Sequence, residues 1–173
     1  MQDCAKRLTA IAMLLMAMTA TAFAQQATNG NASNIQTRTV QDWQVRCPTD
    51  AGQGRCSMTQ LINNPDGDQP VLRVVVAYPP QADGPAMVFL LPLGVRLAPG
   101  LQLTVDGGKP IKFPYQVCVP DGCRADIPLK PELMQQLRQG SQATLSLIDP
   151  RGQRLDLAIS LMGFSDASAR IAP

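Results

Sequence analysis

Short runs of apolar residues, most of them alternating with polar ones, cover the chain after residue 38. Turns rich in proline and glycine separate the runs, and a period of two is typical of β-strands that bury one face. About nine runs have this character: 39–47, 55–62, 71–78, 87–91, 95–105, 109–118, 125–129, 144–148 and 155–161. The pattern predicts an all-β fold, namely an antiparallel β-sandwich or barrel-like domain.

One segment has a helical pattern instead. Residues 131–140 begin with proline and end with glycine, and Leu133, Met134 and Leu137 form one apolar face. Proline suits the first helical position and glycine the C-terminal cap. We predict one short helix here, which covers an end of the sheets.

Two turns and one aromatic residue add detail to the β pattern. Residues 106–108 (Asp-Gly-Gly) and 149–152 (Asp-Pro-Arg-Gly) have the composition of hairpin turns. The single tryptophan, Trp43, lies in the first apolar run, and we expect it to anchor the core.

The first 24 residues have the features of a secretory signal peptide. Lys6 and Arg7 precede an apolar run at 8–20, and the small residues Ala22 and Ala24 form a cleavage site. The alternative is a membrane anchor, but thirteen residues are fewer than the roughly 20 that span a bilayer. The predicted organisation is a signal peptide (1–24), a flexible N-terminal segment (25–38), a β-domain (39–164) and a polar tail (165–173).

Charge and hydropathy narrow the possible partners of the mature chain. Cleavage near Ala24 leaves 149 of the 173 residues, and removing two basic and one acidic residue with the leader leaves a net charge of +1. A nearly neutral domain gives no electrostatic reason to expect nucleic acid or anionic lipid as a partner. Because no second long apolar run follows, we predict no transmembrane segment in the mature chain.

The cysteines indicate an oxidising compartment. Cys4 leaves with the leader, so Cys47, Cys56, Cys118 and Cys123 remain, and an even number in an exported protein predicts disulfides. Three pairings are possible, and we favour the local pairs 47–56 and 118–123 because each flanks a turn. A zinc site is the alternative, but spacings of eight and four residues fit structural zinc poorly.

The residues offer little for catalysis. The chain has no histidine, and its single glutamate, Glu132, lies in the first turn of the predicted helix. Five aspartates that a carboxylate pair could use fall mostly at turns or strand exteriors: Asp42, Asp121, Asp126, Asp149 and Asp156. Cys118 and Cys123 lack the C-x-x-C spacing of redox-active pairs. We predict no catalytic residue, no metal site and no cofactor.

Several motifs in order resemble the invasion-associated locus B family of exported proteins from Gram-negative bacteria. They are DWQVRC (42–47), GRCSMTQ (54–60), LPLGVRL (91–97), GLQLTVD (100–106), FPYQVC (113–118), GCRA (122–125) and SLMGF (160–164). The resemblance implies a periplasmic or surface-associated β-domain and, for some members, a link to colonising or invading host cells. It supplies no catalytic residues.

The leading functional hypothesis is an exported, disulfide-stabilised, non-enzymatic binding protein of the periplasm or cell surface. Its partner would be a protein or cell-envelope component, bound through strand edges or through loops at 48–54, 63–70 and 79–85. The binding residues stay unknown from sequence. The alternatives are a thiol–disulfide redox protein that uses Cys118 and Cys123, and a periplasmic carrier of a small molecule.

Disulfide mapping of the purified mature protein tests these expectations together. Proteolysis without reduction should release linked peptides that contain Cys47 with Cys56 and Cys118 with Cys123. Crossed pairs would contradict local stapling, and four free thiols with bound metal would favour the zinc alternative.

Overall fold

The computed structural model describes residues 35–49, 54–64 and 67–173. The predicted signal peptide and residues 25–34 of the predicted flexible segment lie outside this range. The strands are β1 (Ile35–Val40), β2 (Trp43–Pro48), β3 (Ser57–Asn63), β4 (Pro70–Ala77), β5 (Ala86–Leu91), β6 (Leu101–Val105), β7 (Ile111–Phe113), β8 (Val117–Val119), β9 (Gly122–Pro128), β10 (Gln142–Ile148) and β11 (Arg154–Ser160). The helices are α1 (Pro131–Gln139) and α2 (Phe164–Ile171).

The strands form two antiparallel sheets that share one core. The large sheet has the order β1-β2-β3-β4-β5-β9-β8, and the small sheet has the order β11-β10-β6-β7. Along most of the strands one face is buried, and the rings of Phe89 on β5 and Phe113 on β7 lie 5.3 Å apart between the sheets. The predicted antiparallel sandwich is therefore confirmed.

The two helices differ in how well the sequence predicts them. In α1, Pro131 occupies the first turn, Leu133, Met134 and Leu137 are buried, and the Gly140 amide donates to the Gln136 carbonyl, which confirms the predicted helix. By contrast, the prediction of a polar tail at 165–173 is wrong for most of that segment, because α2 buries Phe164, Ala167, Ser168 and Ile171. Small side chains let α2 approach the sheet closely. Because their hydropathy is low, the segment lacks the apolar pattern that would predict a helix from the sequence.

Strand β1 also lies partly within a predicted flexible segment. Residues 35–38 pair with β2 in register, from Ile35 opposite Pro48 to Arg38 opposite Val45. All side chains of β1 except Val40 are exposed, so backbone pairing rather than apolar burial holds this strand. A strand of this kind has no hydropathic signal.

Two predicted strand runs are broken by proline. The run 95–105 becomes a strand only from Leu101, after Pro99 and Gly100. The run 109–118 is divided at Pro114 into β7 in the small sheet and β8 in the large sheet. Proline lacks the N–H that a ladder requires, so each break falls where pairing cannot continue.

A buried polar cluster joins the two sheets beside α2. The Trp43 Nε1 atom on β2 and the Gln60 Nε2 atom on β3 both donate to the Ser160 carbonyl at the end of β11, at 3.1 and 3.0 Å. The Ser160 amide donates back to Gln60 Oε1 at 2.9 Å. The Trp43 ring, fully buried as predicted, meets the Phe164 ring edge-on at 5.3 Å. We call Trp43, Gln60, Ser160 and Phe164 the sheet clamp.

Alanine substitutions at Gly163, which precedes α2, and at Gly94 should separate the effect of steric crowding on stability from the effect of backbone strain. Gly163 has φ +82°, and an added Cβ would lie 2.4 Å from the Val40 carbonyl oxygen, whereas Gly94 has φ +94° with nothing within 4 Å. We expect Gly94→Ala to lower the free energy of unfolding by about 1 to 2 kcal/mol and Gly163→Ala by about 3 or more. Urea denaturation measures both, and equal losses would show that α2 does not pack tightly against the end of β1.

Candidate functional site

The cysteines form the two local disulfides that the fold prediction includes. The Cα atoms of Cys47 and Cys56 lie 4.2 Å apart, and those of Cys118 and Cys123 lie 4.0 Å apart. The first pair joins β2 to the residue before β3, and the second joins directly opposite positions of β8 and β9. Cys123 is buried within the large sheet. Both pairs thus staple hairpins, a location unlike the helix N-terminus that activates redox cysteines.

Four of the five aspartates named from the sequence are dispersed among structural hydrogen bonds and ion pairs, and the fifth, Asp121, is exposed. The Asp149 carboxylate accepts from the Gln153 amide at 2.7 Å within the β10–β11 turn, and the Asp42 carboxylate accepts from the Ser160 hydroxyl. The Ser146 hydroxyl and then the Arg154 guanidinium hold the pKa of Asp156 below its usual value. In the ranges that the structure describes, no three His, Cys, Asp or Glu residues are grouped so as to hold a metal ion.

The largest hollow among those found lies between the free edge of the small sheet and α1. It has a volume of about 530 Å³ and is bounded on one side by residues 109–113. The other side consists of 126–128 at the end of β9, Lys130, and the α1 residues Glu132, Leu133 and Gln136. We call this hollow the lysine groove, and its volume is in the range of ligand-binding clefts.

The lysine groove follows a strand edge. Side chains of a strand alternate between two faces, so a hollow on one face would contact alternate residues, yet this one contacts all three residues of β7 and the two residues before it. Strand β7 is terminal in the small sheet. Its outer edge therefore has no neighbouring strand within the described part of the chain, and its backbone groups are available to a partner.

Lysines are concentrated around this groove. The chain has four lysines, and Lys109, Lys112 and Lys130 all line the groove and are exposed. Two carboxylates also line it: Glu132, the only glutamate in the chain, and Asp126, which is 3.4 Å from the Arg124 guanidinium. With Asp126 engaged by Arg124, the balance of charge at the groove is positive.

The floor of the lysine groove is apolar, and packing in the core holds its side chains in place. Phe113, Ile127 and Leu133 line the groove and also belong to the buried core. The Phe113 ring packs on the Phe89 ring. Ile111 is half-buried on the groove side of the core. The groove thus combines an apolar floor with cationic rims, which suits a partner with both apolar and anionic groups.

A glutamine side chain covers the edge of the strand across the groove. Strand β8 pairs with β9 only as far as Arg124. Beyond that point the Gln116 side chain takes the place of a strand, because its Nε2 atom donates to the Asp126 carbonyl at 3.2 Å and its Oε1 atom accepts from the Asp126 amide at 2.7 Å. The carboxamide thereby satisfies both backbone groups of Asp126.

A second exposed surface lies on the outer face of the large sheet. Directly paired residues form a row across five strands, in the order Leu61, Arg73, Leu90, Arg124 and Val117. All five are exposed. Leu90, Arg124 and Val117 line a hollow of about 270 Å³, which is smaller than the lysine groove, and so the lysine groove is the better candidate for specific binding.

Local sequence patterns do not predict the lysine groove. One signal was present, because three of the four lysines fall within residues 109–130, each next to or near a proline. The three lysines come together because the chain runs from β7 to β8, returns along β9 and continues into α1. Local sequence patterns do not specify this path.

Comparison with known proteins identifies the family. The sequence profile described as "Invasion associated locus B (IalB) protein" matches residues 43–172. The chain belongs to the invasion-associated locus B family. This confirms the resemblance inferred from its motifs, and the match extends through α2.

Relatives and a solved structure agree with the family assignment. Invasion protein B homologs of Brucella abortus strain 2308 and of Brucella abortus biovar 1 strain 9-941 are each 31% identical to this chain over 146 residues, which cover 82% of both chains. A crystal structure of invasion associated protein B from Bartonella henselae matches with a TM-score of 0.69 and 26% identity, over 79% of this chain and 95% of that one. In the part of this chain that the structure describes, no helix meets the length and apolarity needed to cross a membrane.

Removing the Gln116 side chain should expose the edge of β9. We expect Gln116→Ala to lower the free energy of unfolding by about 1 kcal/mol, because two hydrogen bonds at a partly solvated edge are lost. Hydrogen exchange of the Asp126 amide should accelerate more than exchange of the β4 amides in the sheet centre, because the β4 amides report only the loss of global stability. An unaltered Asp126 amide would show that the Gln116 side chain does not protect this edge.

Proposed function

We propose that this chain is an exported, disulfide-stabilised, non-enzymatic binding protein of the periplasm or cell surface. Its partner is a protein or cell-envelope component, bound in the lysine groove. Export is supported by the leader-like residues 1–24 and by two disulfides, which persist in oxidising compartments. The names of the relatives from Brucella and Bartonella motivate a further part of the proposal, a link to invasion or colonisation of host cells.

The lysine groove is the observation that carries the proposal. It unites a hollow of about 530 Å³, a free strand edge and three lysines in one place. A binding site needs shape, apolar contact and a few oriented polar groups, and the groove offers all three. Disulfides at the β2–β3 and β8–β9 hairpins support the same idea, since a rigid scaffold loses little conformational freedom when it binds.

A redox role for Cys118 and Cys123 is the less favoured alternative. Both cysteines lie in adjacent strands, and Cys123 is buried, so an attacking thiolate would have little access to its sulfur. If the disulfide is structural, a Cys118→Ser, Cys123→Ser double variant should keep partner binding once folded. Loss of binding in a variant with native circular dichroism would favour the redox alternative.

Site-specific photo-crosslinking tests the proposed binding site. Gln135 and Gln136 are adjacent exposed residues of α1, but only Gln136 lines the lysine groove. We expect a photoreactive residue at position 136 to form a discrete adduct in the envelope of the producing cell, and the same residue at position 135 to form none, because neighbours on a helix point about 100° apart.

A charge reversal in the groove provides the control. The adduct at position 136 should disappear when Lys112→Glu is added and persist when Arg151→Glu is added, since Arg151 is exposed and outside the groove. Equal adducts at 135 and 136, or an adduct indifferent to Lys112→Glu, would exclude the lysine groove as the binding site.

A further inference from the structure

We propose that the lysine groove binds an extended, acidic segment of a partner protein, which adds as a strand to the free edge of β7. This inference rests on the proposed binding function and specifies the class of partner. Three features of the groove support it: the orientation of the β7 backbone, the position of the lysines, and the apolar floor.

The backbone of β7 has hydrogen-bonding groups directed out of the sheet. In an antiparallel pair, the N–H and C=O groups of one residue point to the same side, and successive residues alternate. The Phe113 carbonyl faces β6, because its oxygen would be 2.7 Å from a Cβ added at Gly100, the residue before β6. Alternation then directs the N–H and C=O groups of Lys112 towards the groove, where an added strand would find them.

The length of the edge suits a short segment. Strand β7 supplies three of the residues along the groove, which correspond to about 10 Å of extended chain. Pro110 and Pro114 flank β7 and have no N–H, which limits pairing to this short stretch. A partner of about five to seven residues would cover the edge.

The charges around the groove favour acidic over basic side chains. Lys109 and Lys112 lie on the β7 side and Lys130 on the α1 side, so an occupant would have ammonium groups on both flanks. The carboxylates that line the groove are Glu132 and Asp126, and Arg124 is beside Asp126. Lysine ammonium groups attract carboxylates most strongly where solvent is partly displaced, as in a groove.

The apolar floor specifies the alternation within the segment. Side chains of an added strand point alternately to its two faces. One set would contact Phe113, Ile127 and Leu133 on the floor, and the other would lie towards the lysines. The inferred ligand is therefore a segment in which acidic and apolar residues alternate.

Fluorescence anisotropy with a defined peptide tests this inference. The probe is a fluorescein-labelled, end-blocked heptapeptide, Glu-Val-Glu-Val-Glu-Thr-Glu, added to the purified, disulfide-intact protein. Two matched peptides replace all Glu by Gln, or replace the central Val by Pro to interrupt strand pairing. We expect each matched peptide to bind at least about tenfold more weakly than the probe.

Variants of the protein and hydrogen exchange complete the test. Lys112→Glu should weaken binding of the acidic peptide by about tenfold or more, whereas Arg151→Glu, with the same change in net charge, should leave it nearly unchanged. Bound peptide should slow amide exchange in β7 without slowing it in β8, the terminal strand of the other sheet. A neutral peptide that binds equally well, or acidic-peptide binding without protection of β7, would overturn the inference.

Failure of this inference is distinguishable from failure of the proposed function. If the acidic peptide does not bind but the crosslink at position 136 forms and depends on Lys112, the groove has a partner of another chemistry. Anionic lipid is such a partner, and vesicles that contain phosphatidylglycerol would then compete for the crosslink. If neither the peptide binds nor the crosslink forms, the proposed site itself is wrong.

Discussion

The sheet clamp is the interaction on which the remaining structure depends. Trp43 and Gln60 on the large sheet share the Ser160 carbonyl of the small sheet, and Phe164 of α2 packs on Trp43. Buried polar groups are costly unless paired, and here each bond fixes one relative position of the two sheets. Because α2 continues the layer of the small sheet over β1, β2 and β3, a loosened clamp would open one side of the core. The sheets are thus held at this end.

The lysine groove is the open side of the sandwich and lies at the other edge of the small sheet, where β7 is the terminal strand. The small sheet has four strands and the large sheet seven. The edge strand β7 lies against β9, which is one strand in from the border of the large sheet, and α1 lines the other side of the groove. Two devices restrain the open side: the 118–123 disulfide fixes the β8–β9 hairpin, and Gln116 covers the edge of β9. The edge of β7 has no such cover within the described residues, which is why binding is proposed there.

Much of the fold could be predicted from local patterns, whereas the candidate site could not. Alternation and turn composition predicted the antiparallel sandwich, and proline and glycine predicted α1. The even number of cysteines in a chain with a leader predicted disulfides, and the turns that each pair flanks predicted the local pairing. The exposed strand β1 and the small-residue helix α2 were missed because they are stabilised by backbone pairing and close packing, which leave little mark on hydropathy. The groove was missed because Lys109, Lys112 and Lys130 meet only through tertiary contacts.

Lysine reactivity in the native envelope tests the central claim, that the groove is occupied by a partner, most directly. Isotope-coded acetylation would compare the protein in intact envelopes with the purified protein, and an added Gln135→Lys would supply a reference amine on α1 outside the groove. If a partner occupies the groove, Lys109, Lys112 and Lys130 should react several-fold more slowly in the envelope, while the reference lysine should react equally in both preparations. Equal reactivity in the two preparations for the three groove lysines and the introduced reference lysine would contradict occupancy of the groove.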